Sequence, residues 1–364
     1  MTKPPRNWRV SARWIFSRTI LPNVTDDSPG SGRKIGPKVG VLLVNSGTPD
    51  SLDTRGIRNF LRRLLSDRRT IETPRAIWFW ILNLVILPLR PRIVLPKYRR
   101  VWTDQGSPLL VHSLALRDAL RAHLSQSVGG QSTVAVELGM LYSTPDVAQG
   151  LRALRDAGAE HIAVLPLFPQ YSGTTNAAAM DQVGEELRRW RDLPALRLLP
   201  DYADEPNFIA ALADSVRAHW QSQGRGDHLL ISFHGIPSAY VEAGDPYLRR
   251  CQSTARLLAT ALDLQDNQWS MSFQSRVGRA QWLAPYTEPL ARELAARGVR
   301  TLDAICPGFA IDCLETVDEI GHECALAFRA AGGQALRYIP ALNATPAQVR
   351  LLAGLLQAEF RMSA

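Results

Sequence analysis

A single histidine ends a short apolar run in the segment 229–237, LLISFHGIP. The residues before His234 have the composition of a buried strand, and Gly235 and Pro237 interrupt that strand directly after it. The histidine is therefore either a core residue with a satisfied hydrogen bond or a reacting group at a strand end. An imidazole in the second role can take up or release a proton near neutral pH, because histidine titrates at about pH 6.5 in water.

Acidic residues recur at helical spacing further along, in the segment 311–323, IDCLETVDEIGHE. Asp312, Glu315, Glu319 and His322 are three or four residues apart, which predicts one shared face of an α-helix. One interpretation is a solvated acidic face that the helix dipole stabilises. The other is a site, because a carboxylate opposite an imidazole offers oxygen and nitrogen ligands to a divalent metal of intermediate hardness.

Short strand-like runs alternate with helix-like stretches along most of the chain. The predicted strands are 39–45, 133–140, 161–168, 228–233, 269–275 and 301–309. Helix-like stretches lie between them, for example 144–158 and 286–298. This alternation predicts an α/β protein with parallel sheets and helices on both faces.

The order of these elements repeats within the chain. LLVNSGTP at 42–49 aligns with LISFHGIP at 230–237, and LPLFPQYSGTT at 165–175 aligns with CPGFAIDCLET at 306–316. The similarity is weak residue by residue, but its order is kept. We therefore predict two similar doubly wound, Rossmann-like lobes whose parallel sheets face each other across a cleft.

The repeat also predicts the domain organisation. We expect a basic, disordered N-terminal extension at 1–37, an N-terminal α/β lobe at 38–200 and a C-terminal α/β lobe at 201–364 whose last helix packs back on the first lobe. Ligands of open parallel sheets bind beyond the carboxyl ends of the strands. Ser46 and His234 occupy equivalent strand ends, which favours a functional role for the histidine.

The composition excludes several classes of function. The chain has 364 residues, 46% of them hydrophobic, which is enough for two domains with their own cores. The net charge is +8, but residues 1–40 hold eight basic and two acidic residues, so the remainder carries only about +2. A nearly neutral body argues against a nucleic-acid-binding surface. The chain also has no P-loop, no G-x-G-x-x-G after a strand and no G-x-S-x-G, so nucleotide binding and serine-hydrolase chemistry lose support.

The cysteines predict a reducing compartment. They stand at positions 251, 306, 313 and 324 and form no C-x-x-C pair and no Cys/His spacing typical of zinc. This pattern indicates free thiols rather than disulfides or an iron–sulfur cluster. We therefore expect a cytoplasmic protein.

One segment is unusually apolar for such a protein. AIWFWILNLVILPL at 76–89 is shorter than the roughly 20 residues that a membrane-spanning helix requires, and Pro88 and Pro91 are predicted to end it. A core helix is one interpretation. An interfacial anchor is the other, because two tryptophans lie near its start and Arg90 and Arg92 follow it.

Seven segments together resemble the ferrochelatase family, whose members insert ferrous iron into porphyrin in the last step of haem synthesis. They follow the family's order across residues 39–343, and they are LLVNSGTPDS, FLRRLLSDRR, LPLFPQYSGTT, SFHGIPSAYVEAGDPY, FQSRVGRAQWLAPYT, CPGFAIDCLETVDEI and YIPALN. The resemblance is greatest to the proteobacterial type, whose product is protohaem.

The resemblance implies roles for individual residues. His234 would be the site histidine and Glu315 the carboxylate that faces it, and this pair would bind the iron. Glu319 would be the next member of the acidic line. The segment 76–89 would form an apolar lip at the mouth of the pocket. The residues that would line the porphyrin pocket are Asn45, Ser46, Tyr142, Tyr171, Trp282 and Phe309.

The resemblance also implies substrates and surroundings. It implies a lyase that uses protoporphyrin IX and ferrous iron, with no permanently bound cofactor and no iron–sulfur cluster. We expect a monomer without nucleic-acid partners, in the cytoplasm, with peripheral contact to the inner membrane. Two alternatives remain at this point: a non-catalytic tetrapyrrole- or iron-binding protein, and a cobalt chelatase.

The expected mechanism follows from the chemistry of a free porphyrin. Its two pyrrole N–H protons must leave before a metal can bind four nitrogens, and a cleft that binds a bent ring better than a flat one favours this loss. We expect His234 to accept a proton, Glu315 to hold or pass iron, and Glu319 to carry charge toward solvent. In an alternative mechanism, His234 is mainly a metal ligand.

Overall fold

The computed structural model of the protein describes residues 39–127, 134–276, 278 and 280–360. The predicted N-terminal extension at 1–37 therefore lies outside the described residues. Eight strands are present in the described part. They are β1 (Val39–Asn45), β2 (Val134–Met140), β3 (His161–Pro166), β4 (Ala195–Leu198), β5 (His228–His234), β6 (Trp269–Gln274), β7 (Thr301–Ile305) and β8 (Ala335–Ile339).

The strands form two four-stranded sheets with the same topology. The order is β2-β1-β3-β4 in one sheet and β6-β5-β7-β8 in the other, and every pair within a sheet is parallel. β1 and β5 hold the same place in their sheets, as do β3 and β7. This confirms the predicted repeat and the predicted α/β class, and it makes Asn45 and His234 the last residues of equivalent strands.

Helices flank both sheets. Twelve α-helices are present in the part of the chain that the structure describes, and π-helical segments interrupt or extend three of them, at Leu82–Ile86, Gly173–Ala177 and Glu315–Cys324. The α-helices are α1 (Thr54–Ser66), α2 (Arg75–Ile81), α3 (Leu87–Val101), α4 (Pro108–Ser127), α5 (Val147–Asp156), α6 (Ala178–Leu187), α7 (Pro206–Gln223), α8 (Ser238–Glu242), α9 (Tyr247–Ala261), α10 (Thr287–Ala296), α11 (Ala325–Ala330) and α12 (Pro346–Phe360).

The largest apolar core contains residues of both sheets. Helix α12, the last of the chain, packs against α4 from the N-terminal half and α7 from the C-terminal half. Leu120 of α4 and Leu352 of α12 are fully buried in this shared core. The two halves are therefore joined by apolar packing as well as by the chain itself, and this packing holds the carboxyl ends of the two sheets in a fixed relation.

The apolar segment belongs to one helix that runs from Arg75 through α2, a π-helical turn and α3 to Val101. The prediction that prolines end it is wrong. Pro88 lies two residues after the π-helical turn Leu82–Ile86, inside the continuous helix. Pro91 deprives the Leu87 carbonyl of its usual donor, and Arg58 Nε donates to that carbonyl instead, at 3.2 Å.

This helix, Arg75–Val101, leaves much of its apolar surface open. Leu82 and Leu87 are buried on the side toward the protein, whereas Trp80, Leu84 and Ile93 are 61%, 66% and 66% exposed. This exposure excludes the interpretation as a core helix. By length and composition it is the one helix in the described ranges that could cross a membrane, with a mean hydropathy of 1.5 over its most apolar stretch.

Candidate active site

His234 is the last residue of β5 and is half-buried at the strand end. Its Nδ1 lies 2.6 Å from the carbonyl oxygen of Gly235. A carbonyl can only accept a hydrogen bond, so Nδ1 carries a proton, and in the neutral imidazole the lone pair is on Nε2. The Tyr247 hydroxyl donates to the backbone oxygen of His234 at 2.9 Å and fixes the strand end. Nε2 can therefore accept a proton or bind a metal.

One predicted pocket residue lies beside this imidazole, and a second lies beside the turn that follows it. The Phe309 ring is 6.3 Å from the His234 ring between centroids and is tilted by 59°. Trp282 pairs with Pro237 across an isolated bridge, and a Cβ placed on Gly235 would come within 3.1 Å of the indole ring. Glycine is needed here because that Cβ would also come within 2.9 Å of the backbone oxygen of Gln274. Phe309 thus lies beside the imidazole, and Trp282 packs against the turn that follows His234.

The acidic residues lie on a helix of a different kind from the predicted one. Glu315 begins a π-helical segment, in which each N–H bonds to the carbonyl five residues earlier rather than four. Asp312 lies before this helix and is buried, where it accepts hydrogen bonds from the Tyr338 hydroxyl at 2.6 Å and from Asn343 Nδ2 at 2.7 Å. The prediction of one face shared by all four residues is therefore wrong, because Asp312 binds polar groups of the C-terminal half.

Glu319 is hydrogen-bonded to Ser275, directly after β6. Its carboxylate accepts hydrogen bonds from the Ser275 N–H at 2.7 Å and from the Ser275 hydroxyl at 2.6 Å. Burial raises the pKa of Glu319, the Ser275 hydroxyl and His234 lower it, and Glu315 raises it. The charges of His234 and Glu315 thus both act on the Glu319 carboxylate. That these three residues form one site stays a prediction.

Residues from the N-terminal half reach Glu315. Burial raises the pKa of the Tyr98 phenol, and the nearby charge of Glu315 raises it further. Tyr98 also interacts with the Thr48 side chain, whose hydroxyl donates to Ser107 at 2.8 Å. The loop after β1 thus meets the helix after β7 through Tyr98. Sequence analysis missed this tyrosine because LPKYRR carries no motif or periodicity that points to a site.

The loops after β1 and β3 position the remaining predicted residues. Asn45 is buried, accepts from the Ser46 N–H at 2.8 Å and donates to Ser113 at 3.3 Å, and Ser46 itself is half-exposed. Tyr171 is half-buried. Its neighbour Gln170 donates to Thr254 at 3.0 Å, so this loop also contacts the C-terminal half.

Tyr142 is the least solvent-exposed of the predicted pocket residues. It is 3% exposed, and its hydroxyl donates to Asp67 at 2.8 Å. Burial raises the pKa of this phenol, so it stays a neutral donor at physiological pH. In this structure the ring packs in the core of the N-terminal half rather than beside His234.

An ion-pair cluster connects the exposed helix to the acidic one. Arg100 binds both oxygens of Asp318, at 2.6 and 2.9 Å, and the Asp318 side chain is only 1% exposed. Lys97 adds a contact of 2.6 Å to Glu323.

In the ranges that the structure describes, no group of three or more His, Cys, Asp or Glu side chains is placed to hold a metal ion.

Comparisons with known proteins agree with this architecture. Two solved chelatase structures share the fold: SirB from Bacillus subtilis with Fe3+, at a TM-score of 0.52 and 13% identity over 89% of this chain and 98% of that one, and the sirohydrochlorin chelatase SirB from Bacillus subtilis subspecies spizizenii in complex with cobalt, at 0.52 and 12% over 87% and 93%. At such low identities the likeness concerns the fold alone.

Sequence relatives are much more similar. The chain is 47% identical over 320 residues to the ferrochelatase of Alcanivorax borkumensis, covering 88% of this chain and 93% of the relative. It is 45% identical over 327 residues to the ferrochelatase of Methylococcus capsulatus, covering 90% and 98%. The family model described as Ferrochelatase matches residues 38–360. The chain belongs to the ferrochelatase family.

Proposed function

We propose that this chain is a lyase that inserts ferrous iron into protoporphyrin IX and so forms protohaem, the last step of haem synthesis. The observation that carries the proposal is the family match over residues 38–360, which includes both sheets and every predicted site residue. The neighbourhood of His234, Glu315 and Glu319 supports it, because it provides a proton acceptor and carboxylates together.

In the proposed mechanism the three residues have different tasks. The lone pair of the neutral His234 imidazole is on Nε2, so this nitrogen accepts the two pyrrole protons in turn and passes each one to solvent before it accepts the next. Glu315 begins the acidic helix and binds the incoming iron as a hard oxygen ligand. Glu319 provides a second carboxylate near His234 and Glu315. The aromatic rings of Trp282 and Phe309 bind the flat apolar faces of the porphyrin.

We propose that iron is handled only as a substrate, without a permanently bound cofactor or an iron–sulfur cluster. The protein would act as a monomer, in the cytoplasm, and without nucleic acid. Asn45, Ser46 and Tyr171 would complete the porphyrin pocket from the N-terminal half.

A fluorescence assay tests the proposed activity. Purified protein, mixed with a large excess of protoporphyrin IX and with ferrous iron or zinc, is expected to remove the free-base fluorescence completely, because each molecule turns over many times. A loss that stops at one porphyrin per protein would instead identify a binding protein. Turnover only with cobalt and a corrin precursor would identify a cobalt chelatase.

We also propose peripheral attachment to the inner membrane through the helix Arg75–Val101. Its open side presents apolar residues such as Trp80, Leu84 and Ile93. The segment 50–101 contains twelve arginines and lysines and four acidic residues, and the Arg58 side chain of α1 binds directly to this helix. Apolar residues beside an excess of basic ones favour the surface of an anionic bilayer.

Vesicle binding tests this attachment. The double variant Trp80→Ser, Leu84→Ser is expected to lower the affinity for vesicles with anionic phospholipid at least about tenfold, because two large apolar side chains no longer enter the lipid. Sedimentation with the vesicles measures the bound fraction. Leu193→Ser is the control, since Leu193 is also exposed but lies elsewhere. An equal loss of vesicle affinity in the double variant and in Leu193→Ser would contradict attachment through this helix.

A further inference from the structure

Two adjacent residues at the end of β6 hold both acids of the site. The side-chain amide of Gln274 donates to the backbone oxygen of Glu315 at 2.6 Å. The next residue, Ser275, donates its backbone N–H to Glu319 Oε1 at 2.7 Å and its hydroxyl to Glu319 Oε2 at 2.6 Å. The strand end thus binds the helix at two positions that are one turn apart.

The backbone at Ser275 adopts an unusual conformation. Its φ is +67°, in the left-handed region that residues with a Cβ rarely occupy. Such a conformation persists only where surrounding contacts enforce it, and these positions cluster at functional sites. The N–H and the hydroxyl of this one residue reach separate oxygens of the same carboxylate. Each Glu319 oxygen therefore accepts one hydrogen bond from Ser275 and retains further acceptor capacity.

A chain of buried polar groups fixes the Gln274 amide behind this contact. The Ser232 hydroxyl donates to Gln274 Oε1 at 2.7 Å, and Cys306 Sγ lies 3.5 Å from the same oxygen. Ser232 in turn contacts Thr287 at 2.9 Å, and all of these side chains are buried. Because Oε1 is occupied by donors, Nε2 must face the Glu315 carbonyl. A satisfied buried network of this kind is rigid and specifies one arrangement.

We propose that Ser275 is a positioning residue for metal transfer, which holds the Glu319 carboxylate at the site while Gln274 anchors the turn that presents Glu315. This inference rests on the proposed function. Ser275 does not need to touch iron or porphyrin for this role. Its two hydrogen bonds restrict the Glu319 carboxylate to one orientation and stabilise its negative charge, and each oxygen keeps a lone pair that a cation could use. The contact is charge-assisted, which makes it stronger than a bond between neutral groups.

Two substitutions separate the contribution of the Ser275 hydroxyl from that of its backbone N–H. Ser275→Ala and Ser275→Gly both remove the hydroxyl and keep the N–H, and glycine also accepts the positive φ without strain. Both variants are expected to lower kcat/KM for ferrous iron about tenfold, since a hydrogen bond to a charged group is lost. The KM for porphyrin and the porphyrin affinity without metal, measured by fluorescence titration, are expected to stay within twofold of wild type.

The control is Ser270→Ala in the same strand. Ser270 is half-buried at the opposite end of β6, and its hydroxyl lies 2.9 Å from His228 Nε2. The Ser270→Ala variant is expected to keep the wild-type kcat/KM for ferrous iron and the wild-type KM for porphyrin. Loss of porphyrin affinity together with iron-dependent activity in the Ser275→Gly variant would show a general structural role and overturn the proposal, as would wild-type iron kinetics in both Ser275 variants. If wild type itself turns over no metal, the proposed function fails first.

Discussion

The variant His234→Ala is expected to bind porphyrin but to insert no metal. The Gly235 carbonyl holds the imidazole proton on Nδ1, which leaves Nε2 as the acceptor for a pyrrole proton. Alanine removes this acceptor, and general-base catalysis contributes about 10²- to 10⁴-fold to a rate. We therefore expect kcat to fall by at least about a hundredfold, measured by loss of free-base fluorescence with ferrous iron or zinc. Fluorescence titration without metal is expected to give nearly the wild-type porphyrin affinity.

A second histidine of the same strand provides the matched control. His228 begins β5, is buried, and lies 2.9 Å from the Ser270 hydroxyl through Nε2. In the variant His228→Gln an amide can keep this hydrogen bond, so turnover is expected to remain close to wild type. Full turnover by His234→Ala would remove the histidine from the mechanism. A rate that falls equally in both variants would indicate that both substitutions destabilise β5.

The position of this histidine was predictable because local signals determine it. An apolar run, a glycine and a proline define where β5 ends, and the repeat of LLVNSGTP and LISFHGIP relates that end to the end of β1. The strand order confirms the relation. The edge strands β4 and β8 were not predicted. They are short and only partly buried, so they lack the continuous apolar pattern of β1 or β5.

The acidic helix could be predicted only in part. Its place after β7 follows from the alternation of strands and helices, but spacing alone assumes α-helical geometry. The π-helical bonding and the burial of Asp312 depend on contacts with Tyr338 and Asn343, which follow later in the chain. The same holds for Tyr98 beside Glu315 and for the pairing of Arg100 with Asp318, 218 residues apart. Sequence patterns report neighbours along an element, whereas these contacts depend on how elements pack.

The apolar helix shows a related limit of local rules. Proline commonly ends a helix because it lacks an N–H and crowds the preceding turn. Here the π-helical turn precedes Pro88, and the Arg58 side chain from α1 binds the carbonyl that Pro91 leaves without its usual donor. The helix continues past Pro96 to Val101. Its C-terminal end then brings Lys97 and Arg100 to the acidic helix. The proposed membrane contact and the proposed iron site are thus connected by one continuous helix and its ion pairs.

The variant Glu315→Gln is expected to impair the use of iron far more than the binding of porphyrin. Glutamine has nearly the same shape, and the backbone oxygen that accepts from Gln274 remains, so the start of the π-helix keeps its anchor. What is lost is a negative charge at the position proposed to receive a divalent cation. We expect the apparent KM for ferrous iron to rise at least about tenfold, or turnover to stop, because removing a charged ligand costs more than a neutral hydrogen bond.

Glu323→Gln distinguishes this effect from a general loss of charge on the same helix. The ion-pair partners of Glu323 are Lys97 and Arg100, both on α3. Within the described residues, no ion pair joins Glu323 to His234. The KM of the Glu323→Gln variant for ferrous iron is therefore expected to match wild type, although the helix loses an ion pair. An unchanged KM and rate in Glu315→Gln would contradict the carboxylate role and leave His234 as the proposed iron ligand. A raised KM in Glu315→Gln alone would locate iron entry at the first turn of the π-helix, where both halves of the protein meet through Tyr98.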